Sequence, residues 1–321
     1  MINTNLTFAQ NTPIALFVFK RPSHTMQTLN SLAQNDMFIE SPLYIFCDGP
    51  RNQADVDSVS MTRDIVNKYP HPNKIIIHQD VNLGLAASII DGVTDLCKKY
   101  GRVIVVEDDL IVSPAFLGYM HNALRYYSDH ERVMQVSAHQ FNIDATGQTN
   151  KCMLLPFISS WGWATWARAW DHFDADATGW QTLLKNSKMR QQFDIHGCYS
   201  YSDMLFSQMT GKIDSWAIRW NWSVFNKKGL VIYPPVSLVD NIGFDGSGTH
   251  CKVQKNNDVS LANSEFSYVF PAITEVDSLH NVSQFQRVQK AILRSQGGLT
   301  KRTIKRVRCY IYCIYYRICF N

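Results

Sequence analysis

Arg102-Val-Ile-Val-Val-Glu-Asp-Asp-Leu-Ile111 is the stretch that decides the fold. Its first half, 102–106, is a β-branched apolar run of the kind that fills a strand buried on both faces. Glu107-Asp108-Asp109 follows at once, and Leu110-Ile111 then returns to apolar character. Neighbouring carboxylates at the end of a buried strand repel one another and lose hydration, so they call for a cation or a set of donors. A divalent metal is the simplest compensation. Mg²⁺ and Mn²⁺ take oxygen ligands, use one or two carboxylates, and leave positions open for phosphate oxygens. The competing role for the acids is to lead into the helix that begins near Pro114, whose dipole favours negative charge. The apolar residues on both sides of the cluster favour the metal.

Working outward, further apolar and β-branched runs predict strands over 14–19, 43–47, 74–78 and 133–137. Helical spacing predicts helices over 23–34, 53–68, 86–99 and 114–128, with Ser23 and Ser113 as N-caps and Pro114 in a first turn. Strands alternating with helices imply a doubly wound, mostly parallel sheet with helices on both faces, whose ligands bind at the carboxyl ends of the strands. Three polar strand endings would meet there: Lys20-Arg21-Pro22, Asp48-Gly49-Pro50 and the acid cluster. From about 150 to 250 the texture becomes Trp-rich and aperiodic, with Ser159-Ser-Trp-Gly-Trp-Ala-Thr-Trp166 and Ile213-Asp-Ser-Trp-Ala-Ile-Arg-Trp-Asn-Trp222. No linker marks the join, so this half is expected to continue the same domain.

With 321 residues, 45% hydrophobic and 18% charged, the chain can bury a large core, which excludes extensive disorder. Net charge is +4, but nine cations and no acids follow Asp277, so the remainder carries −5. That split points to a local contact made by a basic tail and not to a nucleic-acid-binding protein. The eight cysteines show no CxxC pair and read as free thiols of a reducing compartment. The first residues lack a basic-then-apolar leader, and no stretch reaches the ~18 apolar residues of a membrane span. A cytoplasmic protein is the expectation, and the sequons at Asn5, Asn221 and Asn281 read as chance matches.

The acid cluster is similar to the Glu-Asp-Asp form of the Asp-x-Asp motif in the N-acetylglucosaminyltransferase I family and its bacterial relatives. Asn82-Leu-Gly-Leu85, Val133-Met-Gln-Val-Ser-Ala138 and Asn241-Ile-Gly-Phe-Asp-Gly-Ser-Gly-Thr-His250 resemble other segments of that family, in the same order, over about 14 to 250. The resemblance implies a GT-A nucleotide-sugar transferase fold, a Mn²⁺ (or Mg²⁺) cofactor, a nucleotide-sugar donor, UDP-linked by preference, and an inverting displacement. It implies Asp109 as the direct metal ligand, Glu107 and Asp108 nearer the nucleoside and sugar, and donor contacts from Arg21, Asp48 and Asn82. Two roles stay open for Arg21, donor binding or a surface ion pair, and for Asp48, donor binding or a turn. His250 is a metal or phosphate contact or a plain loop residue. The implied organisation is a transferase domain over 1–275, with a nucleotide-sugar-binding half (1–140) and an acceptor half (141–275), followed by a tail over 276–321.

An inverting transfer needs a general base. Asp214 resembles the family's aspartate before a tryptophan, displaced by one residue because Ser215 intervenes, with Asp203 and Asp245 in reserve. Most tryptophans are expected in the core, with Trp161 and Trp216 exposed to stack on sugar rings. Basic and aromatic residues over 301–320 fit an anionic membrane surface, which would make the acceptor a lipid-linked glycan and place the protein at the inner face of the membrane; docking of this segment on the protein's own core is the alternative. A nucleotidyltransferase would also hold nucleotide and metal with paired acids, but Phe19-Lys-Arg-Pro-Ser23 lacks its glycines. A non-catalytic carbohydrate-binding protein would leave the three acids unexplained.

Overall fold

Each apolar run of the first half becomes a strand in the computed structural model, which describes residues 12–143, 150–246, 261–262, 266–275 and 282–295. Strands β1 (Ile14–Val18), β2 (Leu43–Cys47), β3 (Lys74–His78) and β4 (Arg102–Glu107) alternate with helices α1 (Pro22–Leu32), α2 (Val56–Lys68) and α3 (Leu85–Tyr100). Then come β5 (Leu110–Val112), α4 (Phe116–Tyr126), β6 (Val133–Ser137), β7 (Met153–Leu155) and β8 (Trp163–Trp166). Short helices follow: α5 (Ala167–Trp170), α6 (Thr182–Lys185), α7 (Ser187–Phe193) and α8 (Tyr201–Met209). Helix α9 (Trp216–Asn226), β9 (Leu230–Tyr233), β10 (Val239–Asn241) and α10 (Val282–Ser295) complete the described elements.

Eight strands form one mixed, mostly parallel sheet in the order β3-β2-β1-β4-β8-β6-β9-β7. β1 lies between parallel partners, with Leu16 opposite Ile45 on one side and Val106 on the other. From β1 the chain builds outward to β3, then returns through α3 to β4. Right-handed crossovers therefore put α1 and α2 on one face and α3 on the other, and a crevice opens between the carboxyl ends of β1 and β4. β1 and the interior of β4 are apolar and buried because both faces are covered.

Two helix starts differ from the sequence expectation. Pro22 takes the first helical position of α1 and leaves Arg21 as N-cap, so Ser23 lies inside the helix. Ser113 caps a turn one step before α4, its Oγ accepting from the Ala115 N–H at 3.0 Å. The Trp-rich half contributes three strands to the main sheet, and β8 is inserted antiparallel between β4 and β6. Trp163, Trp220 and Trp222 are fully buried. Asn221 is also buried, and its Oδ1 accepts from the Ile158 N–H at 3.0 Å, so the folded chain presents no glycan acceptor there. Cys47, Cys97, Cys152 and Cys198 are buried free thiols.

Part of the expected membrane tail is a docked helix. Val288 and Ile292 of α10 are buried, Gln289 Nε2 donates to the Ile195 carbonyl at 3.3 Å, and Phe285 meets the His196 ring. The basic aromatic stretch 301–320 lies outside the described residues, and among these no helix is long and apolar enough to cross a membrane.

Candidate active site

Strand β4 ends with Glu107 opposite Phe17 of β1, and Asp108 and Asp109 form the tight turn into β5. Arg21, at the head of α1 on the neighbouring strand end, reaches both. Its Nη1 donates to Asp109 Oδ2 at 3.0 Å and its Nη2 to Asp108 Oδ1. Backbone and hydroxyl donors fix the turn further. Phe19 N–H reaches Asp108 Oδ2 at 3.3 Å, Thr28 Oγ1 reaches the Asp108 carbonyl at 2.8 Å, and Ile242 N–H reaches the Asp109 carbonyl at 2.9 Å. The last bond brings the turn after β10 down onto the acids. A Cβ on Gly243 would lie 2.3 Å from Asp109 Oδ2 and 3.1 Å from Arg21 Nη1, so only glycine lets the backbone approach this closely.

The electrostatics follow from burial. Desolvation pushes the Glu107 pKa up to about 8; the charges of Asp109 and Asp108 add to it, and Arg21 opposes it. Burial also raises Asp108, with Arg21 pulling the other way. Burial works against the Arg21 charge, but the two aspartates outweigh it and hold the guanidinium above its ordinary value. With Glu107 holding its proton below about pH 8, Asp108 and Asp109 still face one guanidinium, so the site keeps a negative excess that a divalent cation would offset. The donors are all oxygens, which suits Mg²⁺ or Mn²⁺. Asp109 Oδ1 and the Glu107 carboxyl carry no hydrogen bond among the described residues, and no three His, Cys, Asp or Glu side chains there converge as a full cage. The residues fit a cation held by one or two carboxylates, with water and phosphate completing its shell. They do not fit an all-protein site.

Glu107 and Asp108 line an open cleft with about 620 Å³ of free space, its mouth included. Phe17 and Phe46, stacked with centroids 4.7 Å apart, make an apolar wall together with Phe19 and Leu85. Lys20, Arg21 and Arg51 bring cations to it; Lys20 is paired with Asp55 at 2.5 Å and Arg51 lies over the Phe19 ring. A cleft with one aromatic wall, a cationic side and a carboxylate floor can take a planar base, a diphosphate and a divalent ion together.

Other residues singled out in the sequence fall into different places. Asp48 lines the cleft but spends its carboxylate on the fold. It accepts from Gly49 N–H at 2.9 Å, Asn82 Nδ2 at 2.8 Å, Leu83 N–H at 2.8 Å and Gly84 N–H at 3.0 Å. Asp48 and Asn82 thus pin the loop before α3, and Gly49 is needed because a Cβ there would meet the Val81 carbonyl carbon at 2.5 Å. Trp161 is half-buried, edge-on to His139 and to Phe244 of the Gly243 turn, with centroids 4.7 and 5.6 Å away. Trp216, expected to be exposed, is instead buried and stacked on Trp163 at 4.8 Å, because α9 turns its aromatic face inward. Asp214, just before the Ser215 N-cap of α9, is 66% exposed and paired with Arg219 at 2.9 Å. Asp203 is in the first turn of α8 beside Asp194, which burial pushes up to about 6. Asp245 ends the Gly243 turn at 3.3 Å from His24 Nε2. His250 lies outside the described residues. Sequence reasoning missed Gly243, Phe46 and Arg51; of these only Gly243 had a signal, its place in a glycine-rich loop.

No family model matches the chain, and no curated protein matches it. Among solved structures, the chain is similar to GalNAc-T7 with UDP, GalNAc and Mn²⁺, at 8% identity and a TM-score of 0.44, covering 72% of this chain and 43% of that one. A mannosyltransferase, PcManGT from Pyrobaculum calidifontis, in complex with GDP-Man and Mn²⁺, is similar at 9% identity and a TM-score of 0.39, covering 68% of this chain and 73% of that one. S. aureus TarS (residues 1–349) is similar at 14% identity and a TM-score of 0.32, covering 49% of this chain and 47% of that one. This chain therefore spans less than half the length of the first and third of these. They are likenesses of chain outline, and the chemistry of the site rests on its own residues.

Proposed function

We propose that this protein is a metal-dependent glycosyltransferase that binds a nucleotide-diphosphate sugar in the β1/β4 crevice. The observation that carries the reading is the Glu107-Asp108-Asp109 cluster, where a single guanidinium faces the two aspartates beside an aromatic-walled cleft that Glu107 and Asp108 line. Asp109 Oδ1, with the Glu107 carboxyl, would hold Mn²⁺ or Mg²⁺. The cation would supply charge stabilisation for the departing diphosphate. Arg21, Lys20 and Arg51 would hold phosphate oxygens, and Phe19 and Phe46 would flank the base. Trp161 and Phe244, beside the acids, would receive a sugar ring.

The finer reading is UDP as the nucleotide, a lipid-linked glycan acceptor in surface-polysaccharide assembly, inversion at the anomeric carbon, and attachment of the 301–320 segment to the inner face of the membrane. A base for the acceptor hydroxyl has to come from outside the cluster. Asp214 keeps that assignment in this reading, and Asp245, at the edge of the Gly243 turn, is the second carboxylate to test. Loss of turnover with nucleotide binding retained, on Asp214→Asn or Asp245→Asn, identifies which one serves.

Calorimetric titration of a nucleoside-diphosphate panel, with and without Mn²⁺, tests the core of the proposal. We expect Mn²⁺-dependent binding of one nucleotide in the wild type and its loss in Asp109→Ala. Folded wild-type protein that binds no nucleotide under either condition would sink the transferase reading.

A further inference from the structure

Asp108 and Asp109 together present four carboxylate oxygens, and three are already taken by the protein's own donors. Arg21 takes one from each residue, and the Phe19 N–H takes Asp108 Oδ2. Asp109 Oδ1 is what remains among the described contacts. The guanidinium is planar, permanently charged and forked, so it bridges the two carboxylates as one unit that a single point charge could not replace. It is largely shielded, with 18% of its side chain exposed, and the Gly243 backbone closes the other side of the same Asp109 oxygen. There is no space for a second cation at Oδ2 while Arg21 stays.

We propose that Arg21 is the built-in counter-ion of this site and competes with the divalent cation for Asp109, so that the cation is held tightly only when a diphosphate is present to draw the guanidinium away. The inference rests on the reading of the cleft as a metal and diphosphate site. In the empty protein Arg21 offsets the repulsion between Asp108 and Asp109. An incoming diphosphate presents anionic oxygens that match the same fork, and transfer of the guanidinium to them frees Asp109 Oδ2 as a ligand. Cation and diphosphate then favour one another's binding, because Arg21 leaves the cation's ligand for the diphosphate. Loading by the cation alone is disfavoured, although three acids line the site.

The test is Mn²⁺ retained by the protein on ultrafiltration, without any nucleotide, for wild type, Arg21→Met, Arg21→Lys and Arg21→Met/Asp109→Ala. Arg21→Met is expected to bind Mn²⁺ about tenfold or more tightly than wild type, within the usual span of coupling between sites. Arg21→Lys, which keeps the charge but loses the fork, should fall between them, and the double variant should lose the gain. Inorganic pyrophosphate should tighten Mn²⁺ retention more in wild type than in Arg21→Met. A folded Arg21→Met, checked by near-ultraviolet circular dichroism, that holds Mn²⁺ no better than wild type overturns the proposal. If that variant does not fold, the absence of a rise in Arg21→Lys overturns it. Wild type that takes Mn²⁺ with pyrophosphate but no nucleoside diphosphate would instead refute the transferase reading and leave the competition standing.

Discussion

Glu107 has a strand backbone and a carboxyl at the cleft floor, and its consequence is a pH dependence. Its pKa rises from 4.5 to about 8 through burial first and the neighbouring aspartates second. Between those values the unfolded chain releases the proton and the folded chain keeps it, so stability should fall as pH rises through that window and level off above it. The decline attributable to this group should be on the order of 5 kcal/mol. Thermal melts in the absence of divalent ions should show a falling Tm across the window in wild type and a flatter profile in Glu107→Gln. Equal slopes in the two proteins would show that Glu107 is not the titrating group. At the same scale, Asp48 both lines the cleft and holds two loops together. A carboxylate at a strand end suits ligand binding, and here Gly49 N–H and three N–H donors of the loop before α3 also reach it.

At the scale of elements, the decisive contact is between two that are far apart in the chain. β10 pairs antiparallel with β5, placing Asn241 opposite Leu110, and so carries Gly243 onto the acid turn that precedes β5. Gly243→Ala adds a methyl where Asp109 Oδ2 already sits. It should weaken Mn²⁺-dependent nucleotide binding by about tenfold or more, while the overpacking itself costs about 1–3 kcal/mol. Unchanged binding in the calorimeter would mean that the turn yields and does not shape the site. Helices α1 to α4 were legible to within a few residues because their apolar positions recur at helical spacing. Two starts differed, since Pro22 takes the first helical position ahead of Ser23, and Ser113 caps the turn one step before α4.

Across the whole molecule, one sheet holds strands from both halves of the chain, and most of the tryptophans pack into its main core. Trp163, Trp170, Trp216 and Trp220 form a chain of ring contacts with centroids 4.8–5.8 Å apart that fastens α5 and α9 to β8. Trp216→Ala should therefore cost about 3–5 kcal/mol in chemical unfolding, as large buried aromatics do. Trp161→Ala, at a half-buried site, should cost clearly less and act mainly on sugar recognition. A Trp216→Ala protein as stable as wild type would contradict the packing described here. By itself the sequence determined the doubly wound first half, the metal-suited acids at the end of β4 and the burial of most tryptophans, because these depend on periodicity, on side-chain size and apolarity, and on charges adjacent in the chain. Only the tertiary structure decided that β8 lies between β4 and β6, that Trp216 faces inward, that Arg21 occupies the acid pair and that Gly243 closes over it. Those outcomes depend on contacts between residues tens to more than a hundred positions apart, where burial and steric approach are set by the assembled fold and leave no local pattern to read.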